Sequence, residues 1–427
     1  MERAIVVAGL ALGDEGKGSV VDWLVREHRA AAVVRYNGGP QAAHRVVDGS
    51  RAHVCAQIGA GIFIPGVQTF LSRFMLVDPL ALEAEEMALR RVSVEDAWAR
   101  LTIDPRCLVV TPFHRLVNQI QEVSRGRARH GSCGRGVAQA QLDAERGSAP
   151  SIRVHDLFDG PKLRRTLDHL WRVKIDLAEQ LAENQPDARS LLDDLRRRDR
   201  VDALVQAYRR FVREHSIAFT EQPTFDGTVI FEGAQGVLLD RDHGFWPHVT
   251  PSRTTFANAL ELTENASIDR VGVLRAYSTR HGAGPFPTEA PALDLPDEKN
   301  VDDPWQGSFR VGWFDAVAAR YALHVIGGVD ALVVTNVDRL TGPCRIATQF
   351  RIDDRLERDL VPSEPTFDAR TAWTERIRRA TPVYDDLPHV EALLSAIERE
   401  VQPIDAVSRA PDASGKRFTS QRLAPVR

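Results

Sequence analysis

Residues 9–19, Gly9-Leu-Ala-Leu-Gly-Asp-Glu-Gly-Lys-Gly-Ser19, combine four glycines, two carboxylates and a lysine. Glycine lets a backbone approach a ligand closely, and a helix start behind such a loop offers free N–H groups to an anion. With the positive charge of Lys17 this is the composition of a phosphate cradle. It is not the ordinary one. The pattern G-x-x-x-x-G-K-[ST] requires glycine at position 11 and Ser or Thr at 18, where the chain has Ala11 and Gly18. Asp14 and Glu15 would repel phosphate unless metal binding or proton transfer gives them a function. A charged, glycine-rich surface turn would share this composition.

Other stretches carry groups of the same chemical kind. His44 follows a glycine–proline turn, Asn37-Gly-Gly-Pro40, and suits either an acid–base role or plain surface hydrogen bonding. Arg125 to Gly136 packs four arginines, four glycines and His130 into twelve residues, an anion-binding loop or a solvated basic one. Gln235 lies in Glu232-Gly-Ala-Gln-Gly236, ahead of a loop dense in Asp, His, Ser, Thr and Arg that runs to Thr255. A carboxylate two residues past Asn336, Asp338, could accept the N1–H and 2-amino donors of guanine.

These loops need elements to hold them. The apolar runs Ala4-Ile-Val-Val-Ala8, Ala31 to Tyr36, Thr228 to Phe231, Val271 to Tyr277 and Val329 to Thr335 read as strands, each ending in one of the loops above or in Ser278 to Glu289. Chemistry in open parallel sheets gathers beyond the carboxyl ends of strands. Leucines at helical spacing from Leu163 to Leu181 predict a core-facing helix, Gly312 to Ala322 reads as another, and Arg196 to Arg200 as a solvated helix face. Strands alternating with helices predict one α/β domain spanning 1–427 around a mostly parallel sheet, with a helical insertion over about 75–220.

The bulk properties fit a globular enzyme. Among 427 residues, 43% are hydrophobic and 27% charged, and the net charge of −4 leaves no footprint for nucleic-acid or membrane-surface binding. Four cysteines without CxxC spacing and no long apolar run suggest reduced thiols and a cytoplasmic location.

In order along the chain, Gly13-Asp-Glu-Gly-Lys-Gly18, Gly38 to His44, Gly131-Ser-Cys-Gly-Arg-Gly136, Phe231 to Gly236, Val249-Thr250, Gly282 to Glu289, Gly312 to Ala316 and Pro382 to Tyr384 resemble the adenylosuccinate synthetase family. The resemblance covers nearly the whole length and implies a P-loop-like GTP-binding architecture. It also implies a ligase that joins IMP and an amine, aspartate in the family, using GTP and Mg2+. It implies that Asp14 removes the N1 proton of the purine and ligates the metal with the Ala43 carbonyl. His44 would protonate phosphoryl oxygens and Gln235 would hold the activated base. Gly13, Glu15, Gly16, Lys17, Gly18, Asn336, Asp338 and Ser408 would bind GTP. Gln41, Cys133, Thr250 and Arg146 would hold the nucleotide monophosphate, Arg146 reaching across from the second subunit of a homodimer. Phage relatives acting on guanine nucleotides replace the catalytic aspartate, and Asp14 sets this chain apart from them. A non-catalytic nucleotide-binding regulator would not need Asp14, Lys17, His44 and Gln235 together.

The chain departs from the family pattern mainly at the substrate end. Ala11-Leu12 replaces Gln-Trp, Cys133 replaces a threonine, and the guanine loop is Thr335-Asn-Val-Asp338 without its lysine. Before Gly312 the family has Thr-Thr-Gly and several arginines for the carboxylates of aspartate. This chain has Pro304-Trp-Gln-Gly-Ser-Phe-Arg310, leaving Arg310 alone to bind substrate. Bidentate arginine recognition of carboxylate is hard to replace with Trp, Ser and Phe. The change predicts weak or absent use of aspartate and an alternative amine or modified nucleotide.

Overall fold

The computed structural model describes residues 1–183, 185–263, 266–293, 295 and 304–425. Its first strand, Arg3–Gly9, is apolar on both faces, as a central parallel strand covered by helices on both sides must be. It lies between Thr228–Gly236 and Ser267–Arg275, both parallel to it. Outward on one side come Ala32–Arg35, Gln68–Leu71, Leu101–Ile103 and Ala218–Phe219; on the other come Ala331–Thr335, Ala406–Ser408 and Lys416–Phe418. Only the last of these ten strands runs antiparallel. The mostly parallel α/β sheet expected from the sequence is therefore present, and the predicted strands are in it.

The helix Lys17–His28 begins as soon as the first loop ends, and it buries Val20, Val21, Trp23 and Leu24. Each such aliphatic side chain contributes about 1.5–3 kcal/mol on full burial. Trp23 also stacks on Phe418, ring centres 4.4 Å apart, which ties the C-terminal strand to the first helix. The leucine-spaced helix runs from Gly160 to Ala182, started by the Asp159 side chain, which accepts from the Lys162 amide.

Three expectations are corrected. Residues 75–220 are rich in helix, but they also supply the strands Leu101–Ile103 and Ala218–Phe219, so the segment extends the central sheet and is not an insertion beside it. The helix expected from Gly312 starts at Ala316, where Asp315 caps it by accepting from the Ala318 amide; Gly312 ends the strand Phe309–Gly312. The run from Arg196 to Arg200 turns the corner between the helices Arg189–Leu195 and Asp199–Glu214, and its arginines pair with carboxylates there.

Candidate active site

Because the central strands are parallel, the loops following Arg3–Gly9, Thr228–Gly236, Ser267–Arg275 and Ala331–Thr335 all emerge at one end of the sheet. The first loop is built around Glu15. Its carboxylate is fully buried, accepts from the Ala11 and Gly13 amides at 3.0 and 2.9 Å, and pairs with Lys17 Nζ at 2.5 Å. The Glu15 side chain therefore shapes the cradle from inside and does not face a ligand. Gly9 and Gly236 make room for it: a Cβ on either would fall within 2.4 Å of a Glu15 oxygen. Gly13 and Gly16 take positive φ, and Gly16 starts the helix with no side-chain cap, which leaves the first-turn amides of Lys17 and Gly18 open to an anion.

Gly18 stands where a standard P-loop has Ser or Thr, and the structure gives the reason. A Cβ there would lie 2.6 Å from the Cβ of His44, so the histidine is packed directly on the cradle. His44 begins the strand His44–Asp48, and its Nδ1 lies 2.5 Å from Glu232 Oε1. Glu232 is fully buried and accepts from the Ala60 amide through its other oxygen. Burial raises the cost of ionising Glu232, but the Arg35 guanidinium and His44 outweigh it and hold the carboxyl below its usual range. Burial also pulls the His44 ring below its ordinary value, against the opposing pull of Glu232. A neutral ring that donates its Nδ1–H to a carboxylate carries its lone pair on Nε2.

Asp14 and Gln235 share an unusual backbone. Both adopt left-handed φ, 60° and 62°, as does Asn336 at 56°. Left-handed φ is uncommon outside glycine, although Asp and Asn adopt it more readily than other residues and this chain also has it at Arg29, Ser93, Asp353 and Asp354. At Asp14 the Arg275 guanidinium donates to the carbonyl at 3.3 Å, and His281 Nε2 approaches Oδ2 at 3.3 Å. At Gln235 the buried Asn37 side chain bonds to both the N–H and the C=O of neighbouring Ala234. Thr335 ties the guanine-side loop to the cradle by donating to the Glu15 carbonyl at 2.6 Å. Asp338 beyond it is exposed.

The remaining predicted residues divide into two groups. Among the described residues, both side-chain polar atoms of Gln41 and the Oε1 of Gln235 are buried without a partner, as groups that await a ligand would be. Cys133 and Thr250 are half-buried, and Ala43 and Arg146 are exposed, Arg146 at the end of the helix Val137–Arg146. The loop before that helix is held by Asn118 on Ser132 and by Glu122 on the His130 and Gly131 amides. Ser408 and Arg310 are differently employed. Ser408 is buried and donates to the Ala410 carbonyl. Arg310 donates to the Gly282 and Gly284 carbonyls at 2.7 and 3.0 Å and pairs with Glu289 at 2.8 Å. The Ser408 hydroxyl and the two terminal nitrogens of Arg310 are thus taken up within the chain, and Arg310 Nε is buried with no partner among the described residues.

Glu232, Arg275 and His281 were missed in the sequence. Glu232 and Arg275 had a readable signal, a charge at the end of a buried apolar strand that must find a partner. His281 had none.

A family model for adenylosuccinate synthetase matches residues 6–415. The chain belongs to the adenylosuccinate synthetase family. Curated relatives agree: the adenylosuccinate synthetase of Acidithiobacillus ferrooxidans is 34% identical, covering 96% of this chain and 97% of its own length. That of Myxococcus xanthus is 33% identical, covering 95% and 94%. Among solved structures, fully ligated adenylosuccinate synthetase from Plasmodium falciparum superposes with a TM-score of 0.78 at 20% identity, over 97% of this chain and 99% of that one. A succinoaminodeoxyadenylate synthetase from cyanophage S-2L, bound to dGMP and dATP, gives 0.59 at 19% identity over 99% and 97%. At these identities the two structures speak to the fold. The family makes this chain a GTP-dependent ligase that forms carbon–nitrogen bonds.

Proposed function

We propose that the chain activates the 6-oxygen of IMP or a closely similar nucleotide by phosphoryl transfer from GTP and displaces the phosphate with an amine. The observation that carries this reading is the convergence at one sheet end of a left-handed Asp14, a His44 oriented by Glu232, and unpartnered polar atoms on Gln41 and Gln235. Asp14 takes the N1 proton, which makes O6 the nucleophile. The uncapped amides behind Gly16, with Lys17, stabilise charge on the transferring group. His44 Nε2 faces the phosphoryl oxygens, and Gln235 holds the purine. Asp338 reads guanine on the far side of Thr335.

The half-exposed Asp14 carboxylate and the Ala43 carbonyl suit Mg2+, which takes one or two carboxylates and completes its shell with water and phosphate oxygens. When bound, the ion neutralises charge across the β- and γ-phosphates. Exposed Arg146 suits a homodimer in which it completes the partner's nucleotide site, in a cytoplasmic enzyme.

The test is phosphate release from GTP with Mg2+ and IMP in the presence of an amine. Wild type should turn over, and Asp14→Ala should lose about 1,000-fold or more in kcat. GTP binding without phosphate release on any 6-oxopurine nucleotide would defeat the reading.

A second reading concerns the amine. The commitment of Arg310 to Glu289 and two carbonyls favours an amine other than aspartate. Mass spectrometry of products from aspartate and a panel of amines decides it. Robust adenylosuccinate formation at sub-millimolar aspartate would exclude this second reading.

A further inference from the structure

Asp14 is approached from two directions by two strands that follow one another in the chain but lie in different sheets. Arg275, at the end of Ser267–Arg275, donates to its carbonyl; His281, at the end of Ser278–His281, lies 3.3 Å from its Oδ2. Aspartate tolerates a left-handed φ better than most residues, so these two contacts act on where the group sits and are not needed to hold its φ. The histidine is itself seated. It pairs in the antiparallel ladder with Phe309, and their rings lie 4.9 Å apart. Phe309 belongs to the Pro304–Arg310 segment where the chain departs from its family. A residue of the altered segment thus packs on the side chain that touches the catalytic aspartate.

We propose that His281 is a positioning residue for Asp14, seated by Phe309. Among the described residues Nδ1 has no partner, and Nε2 is the ring nitrogen that faces Asp14 Oδ2, so the ring donates to the carboxylate from Nε2. In the reacting complex this contact closes into a donated hydrogen bond that holds one carboxylate oxygen and leaves the other for the purine N1–H. A separation of 3.3 Å is long for such a bond, and catalytic hydrogen bonds in unliganded enzymes commonly tighten once substrate is bound. The inference rests on the ligase reading with Asp14 as its base.

The experiment compares kcat and KM for GTP and IMP in wild type, His281→Ala, His281→Gln and Phe309→Ala, with thermal unfolding of each. A glutamine amide can reach the place of Nε2–H and donate the same bond. His281→Ala should lose about 30-fold in kcat, the loss expected for one hydrogen bond to a charged group, with both KM values within about threefold of wild type. His281→Gln should recover to within about fivefold of wild type, and Phe309→Ala should lose about fivefold in kcat. The double variant His281→Ala/Phe309→Ala should be no slower than His281→Ala, since both act through one bond. Unchanged kcat in His281→Ala overturns the proposal. So does an equal loss in Ala and Gln, or a loss carried by KM or by lowered thermal stability. Wild type that releases no phosphate defeats the ligase reading itself, and the inference falls with it.

Discussion

The cradle at residues 9–19 and the segment 304–312 each pair a glutamate with a basic residue, to opposite effect. In the cradle, Glu15 and Lys17 satisfy one another and the loop amides from inside, which leaves Asp14 and the first-turn amides open to a ligand. In the later segment, Glu289 and the Gly282 and Gly284 carbonyls take up the two terminal nitrogens of Arg310, and among the described residues only its buried Nε–H is without a partner. The same pairing builds a site in one place and closes one in the other. The difference teaches that a charge counted in a sequence is a site only if some other group has not already claimed it.

The comparison can be broken most severely at its reactive end. Glu232→Gln keeps the shape but removes the carboxylate that orients His44; kcat should fall about 100-fold with GTP binding preserved, as read by steady-state kinetics and nucleotide titration. An unchanged kcat would mean that His44 needs no internal partner. Arg310→Met sharpens the other end. If Arg310 is a brace, melting temperature should drop by several degrees, on the order of 2 kcal/mol, while the KM for the working amine moves less than about threefold. A KM increase of about 100-fold would return Arg310 to substrate binding.

The smallest effect concerns Asp315, whose burial raises its carboxyl to about 7 from an ordinary 3.8. A raised folded value stabilises the protein fully below the ordinary value and loses that contribution as pH climbs through the folded one. Asp315→Asn can still accept from the Ala318 amide, so its melting temperature relative to wild type should improve between about pH 4 and about pH 7 and then level off. A flat difference across that range would show that Asp315 ionises freely.

What could be read in advance followed from local rules. Apolar runs breaking into glycine gave the central strands and their loop ends, and the conflict of carboxylates with a phosphate cradle marked Asp14. Glu15 and Ser408 turn inward onto partners two to four residues away, whereas the ordering of the sheet and the approach of His281 to Asp14 depend on residues up to hundreds of positions apart. No spacing along the chain encodes those distant contacts. Glu232 lay between these cases: a charge at the end of a buried apolar strand demands a partner, but which partner emerges only with the strand beginning at His44 folded against it.

The contact between Gly18 and His44 also constrains how such a chain can change over time. Restoring the common P-loop by Gly18→Ser would add a hydroxyl suited to magnesium, yet the new Cβ would collide with the histidine 2.6 Å away. A side chain at position 18 and the present placing of His44 therefore exclude one another unless the backbone between them moves apart.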